Sequence, residues 1–179
     1  MVDSPRDWGH GAHAALSQAG IRQIPYVPDG GLDTLLQLCA EDDSMRPVLL
    51  SSEQEGIGVA AGAWLGGARA ALLMQSSGVG NCIQALSLVR TCRLPLLMIV
   101  TMRGEWHEFN PWQLPMGQSA AAHLERCGVV VHRVEDANAA GEMVAGAAAF
   151  AFETMSAVAV LIAQRVIGVK SFSEPGQNG

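Results

Sequence analysis

A basic surface is what this sequence most lacks. Eleven Lys and Arg side chains stand against 17 Asp and Glu, a formal charge of −6 on 179 residues, so no broad face is available to neutralise a phosphate backbone. Nucleic acid is therefore a poor partner. Paired cysteines are missing as well: Cys39, Cys82, Cys92 and Cys127 are scattered without a C-x-x-C spacing, which excludes a zinc ribbon and a disulfide framework and fits a reducing cytoplasm. His10, His13, His123 and His132 have no second ligand at metal spacing, so this chain is expected to hold no metal of its own. Nor is there an uninterrupted apolar segment. The amino terminus carries Asp3, Arg6, Asp7 and Trp8 where an export signal needs an apolar run. The stretch 56–74 is broken by Gly66, Gly67 and Arg69, and reads as a buried helix followed by a buried strand rather than a membrane span. No repeat or linker divides the chain, which predicts one domain over residues 1–172 and a loose tail at 173–179.

What the chain does have is 49% apolar residues laid out in alternating helical and strand-like segments. Helices are expected at 8–19, 32–39, 53–65, 79–91, from 119 onward, and at 139–152. Strands are expected at 22–27, 47–50, 70–74, 94–100, 128–134 and 157–162. These strands are short apolar runs without in/out alternation, as a sheet covered on both faces requires. The prediction is an α/β domain: a doubly wound, six-stranded parallel sheet with helices on both faces.

Ligands collect beyond the carboxyl ends of the strands of such a sheet. One of those segments, Ser51-Ser52-Glu53-Gln54-Glu55-Gly56, holds two glutamates at a strand-to-helix turn. Ser52-x-x-Glu55 reads as a capping box, with Ser52 accepting from the Glu55 amide and the Glu55 carboxylate reaching back to the Ser52 amide. Glu53 is left without a local partner, either as a solvated carboxylate favouring the helix dipole or as a group that meets a ligand. In the helix that follows, Gly58, Gly62 and Gly66 leave one face almost bare. Such a face calls for a close neighbour, which is either another element of the same fold or another subunit. The turn Gln75-Ser76-Ser77-Gly78-Val79-Gly80-Asn81 offers free amides for an anion or a polar group, but matches neither a dinucleotide fingerprint nor a P-loop. The loop 101–117 gathers Arg103, His107, Trp106, Phe109 and Trp112.

Taken in order, a strand ending in Val-Pro, the block EQEGIGVAAGAWLGG, the turn QSSGVGN, and then PLLMIVTMRG and QLPMG resemble the pyrimidine-binding domain of thiamine-diphosphate-dependent decarboxylases. Within that family the sulfopyruvate and phosphonopyruvate decarboxylases are the most similar in these motifs. The resemblance covers residues 21–162. It implies that Glu53, set by its distance from Gly62, hydrogen-bonds the ring nitrogen of the cofactor's aminopyrimidine and so activates the cofactor toward a 2-oxo acid, which loses carbon dioxide. It further implies that Pro28, Gln75, Ser77 and Asn81 lie near the cofactor, and that Asp29, Arg103 and His107 face the substrate. Arg103 would hold a carboxylate, sulfonate or phosphonate, whereas Asp29 would oppose a second anion and leaves another 2-oxo acid open. In the family a second domain grips the diphosphate through magnesium with a Gly-Asp-Gly motif and a later Asn. This chain has no Gly-Asp dipeptide. The implied protein is an alpha subunit that works only with a separate beta subunit, in a hetero-oligomer with several copies of each. A subunit of another thiamine-diphosphate enzyme, such as a ligase or oxidoreductase, and a non-catalytic α/β interaction subunit are the alternatives.

Overall fold

Apolar side chains on both faces of a strand force a layer of helices onto each side of the sheet, and the computed structural model, which describes residues 7–168, has that arrangement. The expected tail lies outside the described residues. Helix α1 (Trp8–Gln18) leads into β1 (Ile21–Tyr26), α2 (Asp33–Glu41) and β2 (Arg46–Leu49). Next come α3 (Glu53–Leu65), β3 (Arg69–Gln75), the short α4 (Val79–Cys82), α5 (Leu86–Cys92) and β4 (Leu96–Thr101). The order closes with α6 (Leu114–Arg126), β5 (Val130–Val134), α7 (Ala140–Thr154), β6 (Ala157–Ile162) and a single turn, α8 (Gln164–Ile167). Six strands pair in parallel in the order β2-β1-β3-β4-β6-β5, the doubly wound sheet that the apolar runs predicted.

Alternate residues of the central strands feed two separate cores. Ala71, Leu73, Leu97, Ile99, Val158 and Val160 point to the side covered by α1, α2 and α7. Leu72, Met74, Met98, Val100, Ala159 and Leu161 point to the side covered by α3, α4, α5 and α6. The register pairs Gln75 with Thr101 and Thr101 with Ile162, so the ends of β3, β4 and β6 share one edge. The stretch 56–74 divides between α3 and β3, and no helix of the described residues is long and apolar enough to cross a membrane.

Most elements end within two residues of expectation, and three differences are larger. The helix expected at 79–91 is two helices, α4 and α5, separated by a tight turn in which Ser87 donates to the Gln84 carbonyl at 3.2 Å and Leu88 to that of Ala85 at 3.0 Å. Buried Val79, Cys82, Leu86 and Val89 keep a helical rhythm across the break, which hides it in the sequence. Helix α6 starts at Leu114, not Ser119, because Pro115 is harmless in a first turn and Gly117 is there for contact rather than as a breaker. Gly117 presses on the backbone of Arg103, where a Cβ would overlap the carbonyl. Helix α8 has too few residues to show a period.

The bare face of α3 also has an unexpected setting. Around Gly58 and Gly62 no atom of the described residues beyond the helix's own backbone lies within 4 Å of where a Cβ would stand, and Leu65, one turn on, is 78% exposed. Among the described residues no other element covers that face. These two kinds of glycine respond oppositely to a methyl group. In urea denaturation of the isolated chain, Gly117→Ala is expected to lose about 3 kcal/mol through overpacking against backbone, whereas Gly58→Ala gains about 0.5–1 kcal/mol from helix propensity.

Candidate active site at the carboxyl edge of the sheet

Glu53 is the first residue of α3 and is only 8% exposed, so it is not a solvated carboxylate. A carboxylate withdrawn from water needs donors, and Asn81 of α4 supplies one, its Nδ2 donating to Oε2 at 2.7 Å. Gly78 is the floor beneath the carboxylate, since a Cβ there would overlap the Glu53 side chain. Oε1 accepts no hydrogen bond among the described residues, yet it is not sealed off. Glu53 therefore has one oxygen held and one able to take a donor from outside.

Glu55 is structural, by a bond other than the expected one. Ser52 makes no side-chain cap. With Ser52 extended (φ −155°, ψ 148°), the Ser51 amide comes under the Glu55 carboxylate and donates to it at 3.0 Å. Glu55 is thus spent on the helix end, as expected, and Glu53 is not.

Beside this pair, a second set of polar groups ties three strand ends together. Asp29, buried just beyond β1, accepts through Oδ1 from Gln75 Nε2 at 2.8 Å, and through Oδ2 from Thr101 Oγ1 at 2.8 Å and the Gly31 amide at 3.1 Å. Ser77 Oγ donates to Gln75 Oε1 at 2.8 Å, and Pro28 lies exposed at the rim next to Asp29. Asp29, Gln75 and Ser77 therefore form one network and Glu53 and Asn81 another, both at the same edge. Thr101 was not singled out in the sequence, though it is the one polar side chain at the end of the run Leu96–Thr101.

Arg103 and His107 do not join either network. The Arg103 guanidinium, expected to await an anion, already has one: Nε and Nη2 donate to the two oxygens of Glu108 at 2.8 and 2.6 Å. A buried guanidinium requires such a partner, and sequence spacing alone does not reveal that Glu108 is within reach. Glu108 also accepts from the Gly104 and Asn110 amides, each at 3.0 Å, and from Gln164 Nε2 at 2.9 Å. Gln164 Oε1 in turn accepts from the amides of Glu105 and Trp106 at 2.9 and 3.0 Å, pinning the loop to α8. That anchor turns His107 outward: it is exposed at φ +48°, its ring edge-on to Trp106. Glu108 and Gln164 carried no motif by which a sequence reading would find them.

Two thiols are removed from consideration as nucleophiles. Burial pushes Cys82 up to about 12, with the Glu53 carboxylate adding to the effect, and burial does the same to Cys39. No group of His, Cys, Asp and Glu among the described residues is arranged to hold a metal ion.

With this geometry in view, residues 7–121 match the family described as thiamine pyrophosphate enzyme, N-terminal TPP binding domain. The chain belongs to the thiamine pyrophosphate enzymes. It is 34% identical over 151 residues to a protein of Methanococcus maripaludis named sulfopyruvate decarboxylase subunit alpha, covering 84% of this chain and 90% of that one. It is also 34% identical over 116 residues to a phosphonopyruvate decarboxylase of Streptomyces viridochromogenes, of which it spans only 29%. Among solved structures, a 2-oxoglutarate:ferredoxin oxidoreductase from Magnetococcus marinus superposes with a TM-score of 0.75 over 90% of this chain and 29% of that one, at 15% identity. That likeness shows the fold alone. The family resemblance carried by EQEGIGVAAGAWLGG and QSSGVGN is thereby borne out.

The Arg103–Glu108 pair has a consequence for acid stability. Hydrogen bonding from Arg103 holds the Glu108 carboxyl down to about 2, against 4.5 for an ordinary glutamate. Between these values the unfolded chain takes up a proton that the folded chain refuses, so the contribution is full above pH 4.5 and is lost as pH falls toward 2. Urea titrations at stepped pH are expected to show a shallower acid loss of stability for Glu108→Gln than for the unaltered chain, together with lower stability at pH 7 where Arg103 has lost its counter-charge.

Proposed function

We propose that this chain is the pyrimidine-binding alpha subunit of a thiamine-diphosphate-dependent 2-oxo acid decarboxylase that acts on a 3-substituted pyruvate of the sulfopyruvate or phosphonopyruvate kind. The observation that carries the reading is the half-satisfied carboxylate of Glu53. The donor set fits the cofactor's aminopyrimidine: a carboxylate oriented through Oε2 by Asn81 has Oε1 left for a ring N–H, and Gly78 keeps the space beside it clear. When bound, thiamine diphosphate supplies a carbon nucleophile and an electron sink for the departing carboxylate.

The chain's own residues bind, orient and hold a proton. Glu53 holds it at the ring nitrogen, in a site dry enough to make that hydrogen bond strong. Asn81 keeps the carboxylate from rotating. Gln75 and Ser77 border the ring from the end of β3 and Pro28 from the end of β1, while Asp29, fixed by three donors, stands on the substrate side. Arg103 is paired with Glu108, an observation that favours as second reading a 2-oxo acid without a further anionic group.

Magnesium and the diphosphate belong to a second polypeptide, the beta subunit. Three features support this: the absence of a Gly-Asp dipeptide, the relatives named subunit alpha at nearly the same length, and the uncovered face of α3 with Gly58, Gly62 and Leu65. The assembly is a hetero-oligomer with several copies of each chain and works in the cytoplasm. Replacing Glu53 by Gln keeps shape and the Asn81 contact while removing the acid. In a decarboxylation assay with the companion subunit and a panel of 2-oxo acids, Glu53→Gln is expected to retain the unaltered melting temperature and lose at least about 100-fold in rate. A rate equal to that of the unaltered enzyme overturns the role.

A further inference from the structure

We infer that Thr101 is a positioning residue for Asp29: its one hydroxyl hydrogen serves either the Asp29 carboxylate or the Met74 carbonyl, so Asp29 takes up and gives back a proton without any strand end moving. For its use in turnover the inference rests on the function proposed above. Thr101 ends β4, a strand buried along its whole length, and is the one polar side chain in it. A buried hydroxyl needs partners, and Oγ1 has two acceptors in reach, Asp29 Oδ2 at 2.8 Å and the Met74 carbonyl at 3.3 Å. The paired register of β3 and β4, with Gln75 against Thr101, holds that carbonyl in place. A hydroxyl has one hydrogen to give and two lone pairs with which to receive. While Asp29 is ionised, the hydrogen goes to the nearer, charged oxygen.

The other two donors to Asp29 lack that freedom. The Gly31 amide, 3.1 Å from Oδ2, is backbone and only donates. The Gln75 amide group is oriented by Ser77, whose Oγ donates to Gln75 Oε1 at 2.8 Å and so leaves Nε2 toward Asp29 Oδ1. Both favour a carboxylate, and neither offers a lone pair to a carboxylic acid. Thr101 does. When Oδ2 is protonated, its O–H donates to Thr101 Oγ1 and the Thr101 hydrogen swings to the Met74 carbonyl; the heavy atoms stay in place and each hydrogen has an acceptor. The surroundings of Asp29 suit such a change of charge. Gln75 and Ser77 from the β3 side, Thr101 from β4 and Gly31 from the turn after β1 are all neutral, and Ile167 of α8 closes on Gly31 with an apolar group. A charge in its field is Arg103, whose guanidinium is raised first by the hydrogen bond with Glu108 and also by the Asp29 carboxylate. Arg103 favours ionised Asp29, and its partner Glu108 offsets that pull. Converting a 2-oxo acid anion to an aldehyde and carbon dioxide consumes one proton, supplied by solvent, so a buried carboxyl on the substrate side that changes charge in place fits the reaction.

The test reads Asp29 directly. In the full chain, labelled at the aspartate carboxyl carbons for NMR, the resonance that Asp29→Asn removes identifies Asp29, and its titration midpoint is followed with pH. Thr101→Val, which keeps the shape and removes the hydroxyl, is expected to raise that midpoint by about one pH unit, since the lost hydrogen bond favoured the charged form. Thr101→Ser, which keeps the hydroxyl, is expected to restore it. In the enzyme assembled with its companion polypeptide, the limb of the kcat profile that follows Asp29 is expected to move with the midpoint, with KM for the 2-oxo acid within about twofold of the unaltered value. An unchanged midpoint in Thr101→Val overturns the inference. So does a shift that Thr101→Ser fails to reverse, which marks a packing effect, and so does a kcat profile that stays put while the midpoint moves. Should Thr101→Val not fold, Thr101→Ala is titrated in the same way and judged by the same outcomes. Failure of the unaltered assembly to decarboxylate any 2-oxo acid removes the function proposed above, whereas the midpoint in the chain alone still decides whether Thr101 governs Asp29.

Discussion

The site is organised by the need to keep one carboxylate out of water without neutralising it. Glu53 is buried at the start of a helix, and only the Asn81 amide, the positive end of α3 and the bare backbone of Gly78 make that burial tolerable. A side chain at position 78 would expel it. α4 brings Asn81 to Glu53, and α5, after a tight turn, packs Leu86 and Val89 into the core.

The same logic governs the rest of this edge. Asp29 is satisfied by groups from β3, β4 and the turn after β1, so it braces the strand ends against one another while staying beside the site. Arg103 and Glu108 satisfy each other, and Gln164 bridges from α8. Asp29, Arg103 and Glu108 are each satisfied from within the fold, whereas one oxygen of Glu53 stays open. A site in which nearly everything else is internally satisfied is preorganised, and preorganisation lets a small number of contacts position a cofactor and a partner.

Much of this was legible before any coordinates. The six strands were visible because apolar runs of four to seven residues without alternation have few other uses. Glu53 was separable from Glu55 because helix-end hydrogen bonding claims one glutamate of the two, even though the donor proved to be Ser51 rather than Ser52. Asn81, Gln75, Ser77 and Asp29 were singled out by their position after strands, and the fold gathers them at one edge. The partner of Arg103 was not legible because a sequence shows a charge but not its counter-charge, and Glu108 reaches it only by the fold of the loop. The exposed setting of His107, at positive φ, was not legible either.

The sequence by itself determined the layering, the parallel sheet and the family, since each depends on local pattern: apolar period, chain punctuation, and the residues next to a strand end. Only the tertiary structure decided which charges are spent and which are open, where 79–91 breaks, and which glycines are pressed against backbone and which stand bare. Those depend on distances between segments far apart in the chain. Pairing is a property of space, and no local pattern encodes it.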